Sequence, residues 1–207
     1  QAFKQGAQAI HVTASAALCA AFADTLALWS ACHHFVINTT VFNRLPVHPE
    51  VDTLVGDFTS TILLEIDYRE AVGAFQTKAQ AVQKQLSRDL QHVFFNGVLV
   101  QRALAKNRKS QKASQFPVVF TSTIFDDSTS FESLGRYVCG ISQTPQVQFD
   151  CQVYETADGL VIHWDTVDEL FPAGMIADMH AAFDTLVTSL CKAADENQRW
   201  AQHRSMV

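Results

Sequence analysis

Apolar positions along this chain switch between a spacing of three to four and a spacing of two, and each switch predicts an element. Leu18, Phe22, Leu26 and Trp29 share one helical face, and Thr13 or Ser15 can cap that helix, which runs through about Ser30. Phe35 to Val41 reads as a strand. The following loop, Asn43 to Pro49, carries Pro46 and Pro49, which exclude regular structure. Phe58 to Asp67 is a second strand. The clearest helix follows, with Val72, Phe75, Ala79, Val82, Leu86, Leu90 and Val93 at helical spacing. A shorter helical piece, Val98 to Lys106, leads into the polar stretch Asn107–Ser114, the best loop candidate in the chain. Pro117 to Ile124 is a third strand. Gln146–Tyr154 and Leu160–Asp165 form a hairpin around Ala157-Asp158-Gly159, where glycine supplies the positive φ a turn can require. The last helix follows Pro172, with Ile176, Met179, Phe183, Leu186 and Leu190 on one face. Neither an internal repeat nor a compositional break divides the chain. Helices packed on a mixed sheet, an α/β fold, is the architecture this order predicts.

Within that pattern one strand stands out. From Gln146 the residues alternate, Gln146, Gln148, Asp150 and Gln152 on one side and Val147, Phe149, Cys151 and Val153 on the other. A carboxylate centred in a row of amides, on a strand with a fully apolar back, is an unusual surface. On residues alone it fits either a solvated sheet face or a wet cleft in which Asp150 is the ionisable group.

Composition narrows the class. With 207 residues the chain fits one ordinary domain or one lobe of something larger. Its 48% hydrophobic content is ample for a core, and the low 17% charge suits a piece with a second face to bury. A net charge of -6 argues against a nucleic-acid footprint, which needs a basic surface. No apolar run approaches the roughly 20 residues that span a bilayer. The start has neither a signal-peptide pattern nor an initiating Met, so the chain is expected to begin inside a longer protein. The cysteines, Cys19, Cys32, Cys139, Cys151 and Cys191, are odd in number and widely spaced, which suits neither a disulfide framework nor a zinc site. Small thiols in a reducing cytoplasm are the expectation.

Several stretches, in order, resemble the motifs of one family. Asn38-x-Thr-x-Phe42-Asn43-Arg44, Val55-Gly56-Asp57-Phe58-Thr59, Pro117-Val118-Val119-Phe120-Thr121-Ser122 and Ile141-Ser142-Gln143-Thr144-Pro145-Gln146-Val147-x-x-Asp150 are similar to successive motifs of heterocyclization domains in nonribosomal peptide synthetases. Glu169-Leu170-Phe171-Pro172-x-Gly174-Met175 fits the segment leading into that family's last helix. The resemblance implies a fold like that of chloramphenicol acetyltransferase, two lobes with a tunnel between them. Residues 1–207 correspond to the C-terminal lobe, and the N-terminal lobe with its Asp-x-x-x-x-Asp motif lies outside the chain. His33-His34 does not form the His-His motif of ordinary condensation domains, because Phe35-Val36-Ile37-Asn38-Thr39 lacks the Asp-Gly that motif requires.

The implied reaction joins a carrier-bound acyl or peptidyl thioester to carrier-bound Cys, Ser or Thr, then cyclodehydrates the product to a thiazoline or oxazoline. A siderophore is a plausible end product. By resemblance, Asp150 would be the general acid/base and Thr121 the hydroxyl that orients it or the hemiaminal oxygen. Asn38, Asn43, Arg44, Ser122, Gln143, Gln146 and Gln152 are the candidate substrate- or tunnel-lining residues. Strand alternation also points Ser122 away from Thr121, which favours packing or hydrogen bonding; Asn38, Asn43 and Arg44 are motif positions of a kind that is usually structural, and a turn is the simpler reading of Asp57. Where the family usually has His after the catalytic Asp, this chain has Cys151, which by alternation faces away from the chemistry. The lobe is expected to hold no metal or cofactor of its own, its substrates riding on phosphopantetheine arms. The implied partners are the missing lobe, the upstream and downstream carrier proteins and an adenylation domain; nucleic acid and membrane are not among them. The lobe alone is expected to form no azoline from loaded carriers, since the tunnel needs both halves. An amide-forming condensation or acyltransferase lobe, or a lobe that only binds carriers, are the alternatives.

Overall fold

The computed structural model describes residues 1–69, 73–107, 116–124, 135, 138–142, 144–156, 159–195 and 200. Along them run α1 (Ala2–Ala9), α2 (Ala14–Trp29), β1 (His34–Phe42), β2 (Thr59–Asp67), α3 (Phe75–Leu90), α4 (Gly97–Asn107), β3 (Val118–Ser122), β4 (Phe149–Thr156), β5 (Gly159–Thr166) and α5 (Met175–Asp195). Residues 108–114 of the polar stretch after α4, with the basic Arg108, Lys109 and Lys112, and the turn residues Ala157 and Asp158 lie outside the described residues.

The strands form one five-stranded sheet in the order β2-β1-β3-β4-β5. β1, β3 and β4 run parallel, while β2 and β5 are antiparallel to their neighbours at the two edges. Alternation then divides every strand between two faces. One face presents Ile37, Leu64, Ile66, Phe120, Phe149, Cys151 and Val153, all buried in the core with residues of α1, α2, α3 and α5. The other presents Asn38, Thr40, Thr121, Asp150, Gln152, His163 and Asp165. α4 packs against β2. There a Cβ on Gly97 would stand 2.8 Å from Thr61 Oγ1, so the helix approaches the strand more closely than a side chain allows.

α2 is the centre of the core. Thr13 caps it, its hydroxyl accepting from the Ala16 N–H at 3.1 Å. The sequence expectation of one apolar face understates this helix: every residue from Ala16 to Thr25 is buried. Alanines on its flanks let sheet and helices approach from both sides. Phe22 meets Phe149 edge-on at 5.3 Å and Trp164 at 5.7 Å between ring centroids. Such pairs add about 0.5–1.5 kcal/mol each beyond the area they bury. The polar inclusion is an ion pair, Lys78 Nζ donating to Asp24 Oδ1 at 2.6 Å, with Lys78 also 4.4 Å from the Tyr68 ring centroid. Burial pushes the Tyr68 phenol well above its ordinary range, with the Asp24 charge adding to the shift.

α1 is absent from the elements that apolar spacing predicts, being one short helix of eight residues with a glycine inside it. Gly6 is there because the indole of Trp200 lies over it: an added Cβ would stand 2.5 Å from the ring. Trp200 is itself fixed by its Nε1 donating to Leu190 O at 3.0 Å and cannot step aside. Gly6→Ala should therefore destabilise the protein by about 1–3 kcal/mol, as overpacking does. Urea unfolding followed by tryptophan fluorescence checks this, and a midpoint at or above that of the unaltered protein contradicts it.

Candidate active site

β4 is the strand on which the site is built, and it is shorter than its alternation suggested. Expected from Gln146, it begins at Phe149. Gln146 is instead in a turn closed by Val147 N donating to Thr144 O at 3.1 Å, with φ +71 in the left-handed region. Gln146 is exposed and does not extend the polar row. Pro145 explains the break, since it fixes its own φ and has no N–H for a ladder. Gln143 lies outside the described residues.

β3 and β4 are neighbours, which alternation could not establish. Val119 is the partner of Asp150 and Thr121 the partner of Gln152, so Thr121, Asp150 and Gln152 share one face. Two residues along one strand and one strand across separate Thr121 from Asp150 by roughly 8 Å between Cα atoms. Gln152 stands beside both, and its Nε2 donates to Asp150 Oδ2 at 2.9 Å. Asp150 is only 6% exposed. Its Oδ1 is buried and has no hydrogen-bond partner among the described residues. A carboxylate with one oxygen held and the other uncommitted is oriented for proton transfer at the free atom.

Thr121 has its own partner. Its Oγ1 lies 2.9 Å from Thr40 Oγ1 on β1. One hydroxyl donates to the other, so the pair keeps one O–H for a group in the cleft. Asn38 is on the same face of β1, paired with Val119 in register, and its Oδ1 is likewise buried without a partner among the described residues. The row Asn38–Val119–Asp150 and the row Thr40–Thr121–Gln152 thus lie side by side across three parallel strands.

Three of the candidates stand elsewhere. Ser122 turns to the helix side, where its Oγ is 2.8 Å from Ser15 Oγ on α2, so it does not line the polar face. Arg44 Nη1 donates to the carbonyls of Val51 and, at 3.0 Å, of Leu54, and the guanidinium lies 3.9 Å over the Phe58 ring. It ties the proline-bounded loop together. Asn43 joins β1 to that loop, its N–H donating to Phe58 O at 2.9 Å. Asp57 accepts from Thr59 N at 2.8 Å in a turn, and the Thr59 hydroxyl first, with this N–H second, holds its carboxyl below the usual carboxylate range.

β5 adds residues that alternation on β4 alone did not name. Asp165 is the cross-strand partner of Asp150, and His163 that of Gln152. His163 Nε2 lies 3.0 Å from Asp165 Oδ1, and Ser142 N donates to Asp165 Oδ2 at 2.7 Å. The signal was in the hairpin: pairing Thr156 with Gly159 sets Asp165 opposite Asp150. Behind the site, Cys151 is buried next to Trp164, and desolvation raises its thiol well above the ordinary range. Cys19 is pushed up to about 12 for the same reason. Both are packing residues. An open groove of about 730 Å³ runs along β5 past Trp164, Phe171 and His180, sharing His163 with the polar face but neither Asp150 nor Thr121. Among the described residues no cluster of His, Cys, Asp and Glu could hold a metal ion, and no single helix is long and apolar enough to cross a membrane.

This mixed sheet, helix-backed on one side with a polar acid-bearing face on the other, is the fold of condensation-domain structures, chloramphenicol-acetyltransferase-like as the motifs implied. The chain belongs to the condensation-domain family, whose model matches residues 1–203. It is 40% identical over 197 residues to bacitracin synthase 1 of Bacillus licheniformis, covering 92% of this chain and 4% of that protein. To phenyloxazoline synthase MbtB of Mycolicibacterium paratuberculosis it is 39% identical over 200 residues, 94% of this chain and 16% of the relative. The solved cyclization-docking bidomain of the EpoB synthetase from Sorangium cellulosum superposes with a TM-score of 0.82 at 36% identity, over 98% of this chain and 40% of that one. The chain thus spans a small part of the curated relatives it matches.

Proposed function

We propose that this chain supplies the C-terminal lobe of a heterocyclization domain in a nonribosomal peptide synthetase. The observation that carries the reading is Asp150, held by Gln152 through one oxygen and open at the other, on a polar face shared with the Thr40–Thr121 hydroxyl pair. The similarity to a phenyloxazoline synthase and to a cyclization bidomain supports it. The missing lobe would close the tunnel over the polar face. Carrier proteins would deliver both substrates on phosphopantetheine arms, and an adenylation domain would load the acceptor. A cytoplasmic synthetase making a siderophore or another azoline product is the setting this implies.

On this reading the reaction runs in two stages. After the amine of Cys, Ser or Thr displaces the donor thioester, the side-chain thiol or hydroxyl adds to the new amide carbonyl. The resulting carbinol loses its hydroxyl as water and its nitrogen loses a proton, leaving a C=N bond. Asp150 Oδ1 can take the proton from the nucleophile or nitrogen and return it to the departing hydroxyl, so no net proton is consumed. The spare O–H of the threonine pair can donate to the same carbinol oxygen.

The test is the product. The full-length synthetase, given loaded carriers, should release or retain an azoline, one water lighter than the amide. An amide alone would make this an ordinary condensation lobe instead. Thr121→Val should lower azoline formation about 10-fold or more, the scale of a lost transition-state hydrogen bond, and Thr121→Ser should recover most of it. Equal activity of Thr121→Val and the unaltered enzyme would remove Thr121 from the site.

A further inference from the structure

Asp165 has no part in the proton transfers above, yet both its oxygens are engaged and it stands directly across the ladder from Asp150. Two carboxylates opposite each other on one face repel, so such a pair needs a compensating reason. His163 faces one oxygen of Asp165 at 3.0 Å and the Ser142 N–H the other at 2.7 Å. The second contact is the informative one. No other hydrogen bond ties residues 138–142 to the rest of the described chain. That segment carries Val138 at 80% and Ile141 at 78% exposure, so little apolar burial holds it down. Asp150, by contrast, is only 6% exposed. Asp165 brings the Ser142 main chain over this end of the face, one strand away from the uncommitted Asp150 oxygen.

The geometry points to Asp165 as a positioning residue: braced by His163, it pins the Ser142 segment as a wall beside Asp150, keeping water from its free oxygen and fixing the space the carbinol occupies. This rests on the reading of Asp150 as the proton-transfer group. A charge-assisted bond from a backbone N–H to a carboxylate is strong enough for one contact to serve as the anchor. Releasing the wall would leave carrier docking and the first, amide-forming step alone, because neither uses Asp165, and would slow cyclodehydration.

The experiment compares Asp165→Ala, Asp165→Asn and Ser142→Pro in the full-length synthetase, with Asp150→Asn as reference. Two readouts are taken: the azoline-to-amide ratio with kcat and KM for the loaded carrier, and hydrogen–deuterium exchange of peptides containing Ser142. Asp165→Ala should cut kcat for azoline formation about 10- to 100-fold, the range expected when a reacting group loses its positioning, with little change in KM, and should speed Ser142 exchange. Asp165→Asn keeps a side-chain carbonyl that accepts from Ser142, so protection and most of the rate should return. Ser142→Pro removes the donor and spares the acid, and should behave as Asp165→Ala does even if the latter fails to fold. A native azoline-to-amide ratio in Asp165→Ala or Ser142→Pro overturns the inference. So does equal loss in Asp165→Asn with Ser142 still protected, since the bond would then be irrelevant. If Asp150→Asn itself keeps making azoline, the underlying reading of Asp150 has failed rather than the role of Asp165.

Discussion

Asp150→Asn in the full-length synthetase should abolish azoline and let the uncyclised amide accumulate. The substitution is nearly isosteric, and the new side-chain carbonyl still accepts from Gln152 Nε2, which now donates to Asp150 at 2.9 Å. Stability and carrier binding should therefore hold, and what is lost is an atom able to take up and return a proton. General acid–base catalysis is worth roughly 10²–10⁴-fold, and cyclodehydration uses it at more than one step, so the loss should lie at the upper end. Amide formation needs less from this carboxylate and should fall far less. Mass spectrometry of carrier-bound products separates the two outcomes. Unchanged azoline would mean that the lobe binds carriers without taking part in the chemistry.

The second large effect concerns the fold. Lys78→Met should destabilise the protein by about 3–5 kcal/mol, the cost of breaking a buried ion pair from one side. Asp24 and Lys78 are 0% and 1% exposed in their side chains, at 2.6 Å from each other. Without the ammonium, the Asp24 carboxylate stays in the core of α2 opposite an apolar chain, and Tyr68 loses the cation beside its ring. For a chain of this size that corresponds to a melting point lower by about 6–20 °C. The double variant Asp24→Leu with Lys78→Met should recover most of the loss, because two apolar groups leave no uncompensated charge. Calorimetry of the two variants and the unaltered protein decides it: if the single substitution melts with the unaltered protein, the pair is not what ties α3 to α2.

Much of this was legible in the residues, and the exceptions have physical causes. All five strands were read as strands from the residues, and in β4 the two faces were legible from alternation, which is imposed by the pleat itself and needs no partner strand to be seen. Ser122 went to the helix side as alternation required, where Ser15 meets it. Gln146 did not join the polar row, since Pro145 turned the chain before the ladder began. α1 escaped notice because Gly6 weakens its pattern, and that glycine is explained only by Trp200, far away in sequence. The Lys78–Asp24 pair was invisible as well: a charged residue inside a helical pattern reads as solvent-facing until the partner helix is in place.

Sequence alone determined the five strands and every helix but α1, the family motifs and the faces within each strand, including the turning of Asp150 away from Cys151. These are local properties, set by backbone geometry and the sign of each side chain's interaction with water. Only the tertiary structure decided which strands touch. Thr40 and Thr121 meet across 81 residues of chain, Ser142 finds Asp165 across 23, and β3 lies parallel to β4 with Thr121 beside Gln152. Parallel pairing through long crossovers is fixed by the packing of helices against one sheet face, and no local pattern encodes its register. That packing leaves one polar face with Asp150 at its centre, held by Gln152 and flanked by Asp165.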